Sequence, residues 1–106
     1  MLIAEDEESN AMYMQAVMKK AGFEYLLVKN GEEAVALCKK HPGITLVLMD
    51  IKMPVMNGLV ATKHIQKFRP ELSIIATTAH AQTGDEQRFL AAGFDGYWQN
   101  PLKEST

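Results

Sequence analysis

A single cysteine, Cys38, excludes an internal disulfide framework, and one thiol cannot by itself make a structural zinc site. Apolar runs stay well short of the ~18–20 residues that a membrane span needs. Met1 leads straight into Leu2-Ile3-Ala4, without the basic stretch and cleavage site of a secretory leader. Neither sign of charge dominates: 11 Lys+Arg against 13 Asp+Glu leave a net charge of −2. That balance argues against a nucleic-acid binder whose affinity comes from a basic face. Low-complexity tracts and Pro/Gly/Ser linkers are missing too. What is there is 106 residues, 47% of them hydrophobic, enough for a core and of the length of one domain. The expectation is a single cytoplasmic domain over residues 1–106, or a piece of a larger cytoplasmic chain. Neither nucleic acid nor membrane is expected as a partner of this segment.

Short apolar runs alternate with amphipathic segments. Leu2–Glu5, Glu24–Lys29, Ile44–Met49, Leu72–Thr77 and Gly96–Gln99 read as strands. Around Ile3, Val47 and Ile75 the runs are apolar without clean alternation, the pattern of strands covered on both faces. Between them, Met14, Val17, Met18 and Ala21 fall at i, i+3, i+4 and i+7. Ala34, Leu37, Cys38 and His41 repeat that spacing, as do Ala61, His64, Ile65 and Phe68, so each set predicts one buried helical stripe. Asn30 with Glu33, and Thr83 with Glu86, have capping-box spacing. Gly22 and Gly93 sit where a left-handed residue ends a helix, inside the echoing stretches Ala21-Gly22-Phe23 and Ala92-Gly93-Phe94. Strand–helix alternation with short connections predicts a parallel α/β sheet with helices on both faces. In such a sheet the functional residues gather at the carboxyl ends of the strands.

Polar groups from four separate segments meet at those ends. They are Glu5-Asp6 after the first strand, Asp50 after the third, Thr77-Thr78 closing the fourth and Asn100-Pro101 after the fifth. Crowded carboxylates raise one another's pKa, and a divalent cation relieves the repulsion. Mg²⁺ is hard, prefers oxygen and takes one or two carboxylates while keeping waters. An aspartate beside it can attack phosphorus, and a hydroxyl such as Thr78 can hydrogen-bond a phosphoryl oxygen. Blander readings stand alongside. Glu5 to Glu8 can be a solvated acidic face, and Thr77 and Thr78 can be ordinary strand residues. His64 reads as packing, His41 as a helix-end residue before Pro42, and His80 as a loop histidine. The seven methionines read as core filler, with Met53 and Met56 at the rim of the site.

These stretches resemble the receiver domain of two-component response regulators and hybrid histidine kinases. The resemblance rests on Ile3-Ala4-Glu5-Asp6-Glu7-Glu8-Ser9-Asn10, on Leu48-Met49-Asp50-Ile51-Lys52-Met53-Pro54-Val55-Met56-Asn57-Gly58, on Ala76-Thr77-Thr78-Ala79-His80-Ala81 and on Gly96-Tyr97-Trp98-Gln99-Asn100-Pro101-Leu102. Asp50 followed by Met53-Pro54 and Gly58 is the most specific block. The resemblance implies a flavodoxin-like, doubly wound, five-stranded parallel sheet in the order 2-1-3-4-5. It implies Asp50 as phosphoacceptor and Mg²⁺ held by Asp6, Asp50 and the backbone carbonyl of Lys52, with Glu5 assisting through water. Thr78 becomes the switch hydroxyl and Tyr97 the aromatic residue that changes burial with it. The implied partner is a histidine kinase or its phosphotransfer domain, and the implied role is a signalling switch in a phosphorelay rather than a turnover enzyme.

Two features depart from the family pattern. Asn100 stands where the family has a lysine, so a neutral donor replaces a full charge at the phosphoryl oxygens. After the fifth strand only Lys103-Glu104-Ser105-Thr106 follow Leu102, so the C-terminal fifth helix is expected to be missing and the face it would cover to favour self-association. Asn100 also supports an alternative reading, a pseudo-receiver that acts as an interaction module without phosphorylation. A Mg²⁺-dependent phosphatase with an aspartate nucleophile is disfavoured, because Lys52 stands where such enzymes place a second acid. A flavin site is disfavoured because Glu7-Glu8 would repel phosphate. The Glu5-to-Asn10 and Ala79-His80-Ala81 stretches lean towards a hybrid-kinase receiver.

Overall fold

The computed structural model describes residues 1–53, 55–78 and 84–99, with Glu86 and Gln99 described by backbone only. The elements are β1 (Leu2–Ala4), α1 (Glu8–Lys20), β2 (Leu26–Val28), α2 (Gly31–Lys40), β3 (Leu46–Asp50), α3 (Gly58–Phe68), β4 (Ser73–Thr78), α4 (Asp85–Ala91) and β5 (Gly96–Gln99). The five strands pair in parallel in the order β2-β1-β3-β4-β5, as the resemblance implies. Pro54, His80, Thr83, Asn100, Pro101 and the stretch where a fifth helix would begin lie outside the described residues.

Strand alternation explains why both faces are covered. Leu2, Ala4, Val47, Met49, Ile74 and Ala76 point to one face. There they meet Ala34 and Cys38 of α2, Ala61 and Ile65 of α3, and Phe89 of α4. Ile3 and Leu48 point to the other face and meet Met14 of α1, with Ile75 and Trp98 beside them. β1 and the core of β3 are therefore apolar at every position.

The helix ends carry their own chemistry. The Asn30 side chain accepts from the Glu33 N–H at 2.8 Å, and the Glu33 carboxylate accepts from the Lys29 N–H at 3.0 Å. Gly22 and Gly93 have φ of 87° and 108°. Both close the same motif. Phe23 N–H donates to the Met18 carbonyl and Gly22 N–H to that of Lys19; Phe94 and Gly93 do the same to Phe89 and Leu90. In the second copy the flanking rings of Phe89 and Phe94 also meet edge-on, 6.1 Å apart.

Three details differ from the sequence reading. α4 follows Gly84, whose φ is 89°, so its cap falls one residue after Thr83. His41 and His64 are exposed. The buried side of α3 is Gly58, Ala61, Thr62 and Ile65, the same spacing begun one turn earlier, so His64 lies off the stripe. Met12 is 63% exposed, so the methionines are not all core filler.

Candidate functional site

Register builds the site. Ile3 lies beside Leu48 and Ala4 beside Met49, which carries Glu5 alongside Asp50. Asp50 lies beside Thr77, and Thr77 beside Trp98. Ile3, Leu48 and Ile75 share the α1 face, so the residues two further along their strands share it too. One row thus crosses the carboxyl edge of the sheet: Glu5, Asp50, Thr77, Trp98.

Glu5, Asp6 and Asp50 each bring one carboxylate oxygen within 4.8 Å of the other two. Glu5 is only 3% exposed, Asp50 is half-buried and Asp6 is exposed. Glu5 and Asp50 lie close enough to couple: a hydrogen bond between them lowers Glu5 and raises Asp50, so the proton stays with Asp50 and Glu5 accepts. Burial, and then the Glu5 charge, push the Asp50 carboxyl up to about 8. Burial also raises Glu5, against its hydrogen bond to Asp50. Backbone donors oppose this: Glu7 N–H reaches Glu5 Oε2 at 3.1 Å and Lys52 N–H reaches Asp50 Oδ1 at 3.3 Å. Among the described residues, the ion pairs are Arg69–Glu71 and Arg88–Asp85, and neither touches these three acids. Three crowded acids, with one oxygen from each within 4.8 Å of the others and no cationic side chain paired to them among the described residues, make an all-oxygen donor set whose repulsion a hard divalent cation relieves, so the donor set fits Mg²⁺.

The segment after Asp50 is pinned at several points. Gly58 N–H donates to the Ile51 carbonyl at 3.0 Å, Gly31 N–H to the Met56 carbonyl at 2.9 Å, and Ile51 N–H to the Thr77 carbonyl at 3.4 Å. The Asn57 side chain caps α3 through the Val60 N–H at 3.0 Å. A Cβ on Gly58 would overlap the Asp50 carbonyl oxygen, and one on Gly31 the Met56 carbonyl oxygen. Both atoms are backbone and cannot swing aside. Met53 is buried and Met56 packs against the same core, so these two hold the loop from beneath rather than lining a rim. Val55 takes a left-handed φ of 68°, strained for a β-branched residue.

The remaining candidates are placed as follows. The Lys52 side chain is exposed, and its backbone turns back over Asp50. Thr78 is half-buried at the end of β4. Its alternation puts it with Ala76 on the face opposite Thr77. Tyr97, beside Ala76 in the register, shares that face; its ring lies 6.0 Å from Phe89 of α4. Asn100 lies outside the described residues. The sequence reading missed the Asn57 cap and the close approach at Gly31, although the Asn30-Gly31 pair was a usable signal. It placed Thr77 among the polar groups at this edge, or as an ordinary strand residue, and gave it no role of its own.

The model of the response regulator receiver domain matches residues 1–106. The chain belongs to that family. This receiver domain is 34% identical over 109 residues to hybrid signal transduction histidine kinase I of Dictyostelium discoideum, covering 95% of this chain but 6% of the kinase. It superimposes with a TM-score of 0.84 on the receiver domain of sensor histidine kinase PA1611 from Pseudomonas aeruginosa PAO1, whose structure has a magnesium ion coordinated in the active-site cleft. That match is 32% identical and covers 94% of this chain and 83% of the other. A chain of the Saccharomyces cerevisiae complex between the histidine phosphotransfer protein Ypd1 and the receiver domain of Ssk1 matches with a TM-score of 0.84 and 31% identity, covering 94% and 77%. Receiver domains are signalling domains of two-component systems. Among the described residues no helix is long and apolar enough to cross a membrane.

Proposed function

We propose that this receiver domain accepts a phosphoryl group onto Asp50 from a histidine kinase or its phosphotransfer domain, in the cytoplasm. The observation that carries the reading is the packing of Glu5, Asp6 and Asp50, with oxygens within 4.8 Å, around one half-exposed aspartate. Asp6, Asp50 and the backbone carbonyl of Lys52 would hold Mg²⁺, with Glu5 assisting through water. The ion supplies charge neutralisation at the phosphoryl oxygens. A carboxylate oxygen of Asp50 attacks phosphorus. The phosphorus–nitrogen bond of phosphohistidine breaks, and its electron pair stays on the imidazole nitrogen, which takes up a proton. Lys52 N–H fixes one Asp50 oxygen and leaves the other for attack. Thr78 then hydrogen-bonds the phosphoryl group. Tyr97, on the same face and against α4, changes burial with it, shifting an existing equilibrium. Asn100 offers the phosphoryl oxygens a neutral donor only, so phosphorylation is slower than a lysine would allow.

The test is intact mass after incubation with a small phosphodonor and Mg²⁺. A single phosphoryl adduct that requires Mg²⁺ and disappears in Asp50→Asn is the expected result. Mg²⁺ binding with no adduct, also in an Asn100→Lys variant, would overturn the reading in favour of an interaction module without phosphorylation.

A further inference from the structure

The proposed function leaves the Thr77 hydroxyl, in the middle of the cross-sheet row, unused. Its residue is 2% exposed, and its hydroxyl finds no hydrogen-bond partner among the described residues. A buried hydroxyl without a partner is unfavourable, so its presence calls for a second arrangement in which it is paired. The row says which one. On the β3 side Thr77 faces Asp50, on the β5 side Trp98, with neighbouring strands about 4.8 Å apart. Trp98 offers only an indole N–H donor and an apolar body. Asp50 offers carboxylate oxygens, one of which accepts from the Lys52 N–H. The Thr77 carbonyl already holds the start of the following loop through Ile51 N–H, so Thr77 and the Asp50 segment move as one unit.

We propose that Thr77 is a positioning residue for Asp50: its hydroxyl donates a hydrogen bond to the Asp50 carboxylate when Glu5 and Asp6 turn their oxygens to a divalent cation. The inference deepens the phosphoacceptor reading and rests on it. When Glu5 turns away, Asp50 loses its carboxyl neighbour on the β1 flank. The row supplies one buried replacement, on its β4 flank. Thr77 then fixes the carboxylate's rotation before any phosphoryl group arrives. Thr78 alternates to the opposite face and keeps its role at the phosphoryl group.

Trp98 is the chain's one tryptophan and Thr77's neighbour, so its fluorescence reads the row directly. The experiment titrates Mg²⁺ into wild type, Thr77→Val and Thr77→Ser, following Trp98 emission, and then times phosphoryl uptake by intact mass. Thr77→Val keeps the shape and removes the hydroxyl. The expected result is equal or higher thermal stability without Mg²⁺, but Mg²⁺ affinity lower by roughly three- to ten-fold, the worth of one hydrogen bond at a partly solvated carboxylate. Phosphoryl uptake slows at the same time, and Thr77→Ser restores both. Valine that binds Mg²⁺ and gains phosphate like wild type, changed only in melting temperature, overturns the proposal. If valine distorts the strand, Thr77→Ala in the same assays decides instead. A wild type that binds Mg²⁺ and never gains phosphate sinks the parent reading, while the affinity comparison still decides on Thr77.

Discussion

Without a cation, the protein should lose stability as pH rises from about 4 to 8, and Asp50→Asn should abolish most of that loss. The ordinary Asp50 value is 3.8 and the folded value is about 8, so within that window the folded state binds the proton that the unfolded chain gives up. A raised folded pKa contributes stability that is complete below the unfolded value and lost as pH climbs through the folded one. About four pKa units at ~1.4 kcal/mol each set a ceiling of about 6 kcal/mol. Asp50 is half-buried, and solvent screening brings the expected loss to about 2–3 kcal/mol. In a domain of this size that moves the melting temperature by roughly 10 °C. The assay is thermal unfolding in chelator at half-unit pH steps for wild type and Asp50→Asn. Asparagine does not titrate, so the difference between the two profiles isolates the Asp50–Glu5 pair from the histidines. Added Mg²⁺ should stabilise wild type more at pH 8 than at pH 5, where protons compete for the same oxygens. Parallel profiles for the two proteins would refute the shared-proton reading.

Gly58→Ala pushes a Cβ into the Asp50 carbonyl oxygen; about 2–4 kcal/mol should be lost in urea unfolding, together with Mg²⁺ affinity. Wild-type behaviour in both would show that the loop can yield. Arg69→Met removes donors to the carbonyls of His41 and Pro42, at 3.3 and 3.2 Å, and the Glu71 ion pair. Stability should fall by about 1–3 kcal/mol with Mg²⁺ affinity intact, because this clamp ties α2 to β3 at the edge away from the site. Val55→Asn relieves a left-handed backbone, φ 68°, and should raise stability by about 1 kcal/mol. A destabilised asparagine variant would mean that the Val55 side chain makes contacts worth more than its strain.

Local rules that use nearest neighbours were legible in the sequence. The left-handed glycines at Gly22 and Gly93, the Asn30 cap and the strand centres follow from residue chemistry and spacing alone. Where a helix faces two neighbours, spacing was not enough. Ala61 and Ile65 were assigned to the right side of α3, but the stripe was continued forward to His64 and Phe68 instead of back to Gly58. The apolar register is ambiguous by one turn, and only packing against β3 and α2 decides it. At the site, the gathering of Glu5, Asp6 and Asp50 was legible because strand ends must converge in a parallel sheet. The pairing of Asp50 with Thr77 rather than Thr78 was not, because a one-residue register choice flips every side chain to the other face.

That register choice divides the carboxyl edge into two functional faces. Thr78 and Tyr97 alternate to the side of α4, where the Tyr97 ring lies 6.0 Å from Phe89; under the proposed function a change at Asp50 passed through Thr78 reaches that helix. Thr77 and Trp98 lie on the side of α1, where Tyr13 packs its ring 6.1 Å from Trp98. Asp50 stands at the end of the strand beside both, where the two routes begin. The strand ends after Asp50, and Gly58 presses directly on the Asp50 backbone. The aspartate therefore responds by turning its side chain rather than shifting its main chain. A carboxyl confined in this way has a few discrete partners: Glu5, the Lys52 N–H and the hydroxyl of Thr77. Glu5 and Thr77 both lie on the α1 side, so exchanging one for the other moves the carboxyl along that face alone.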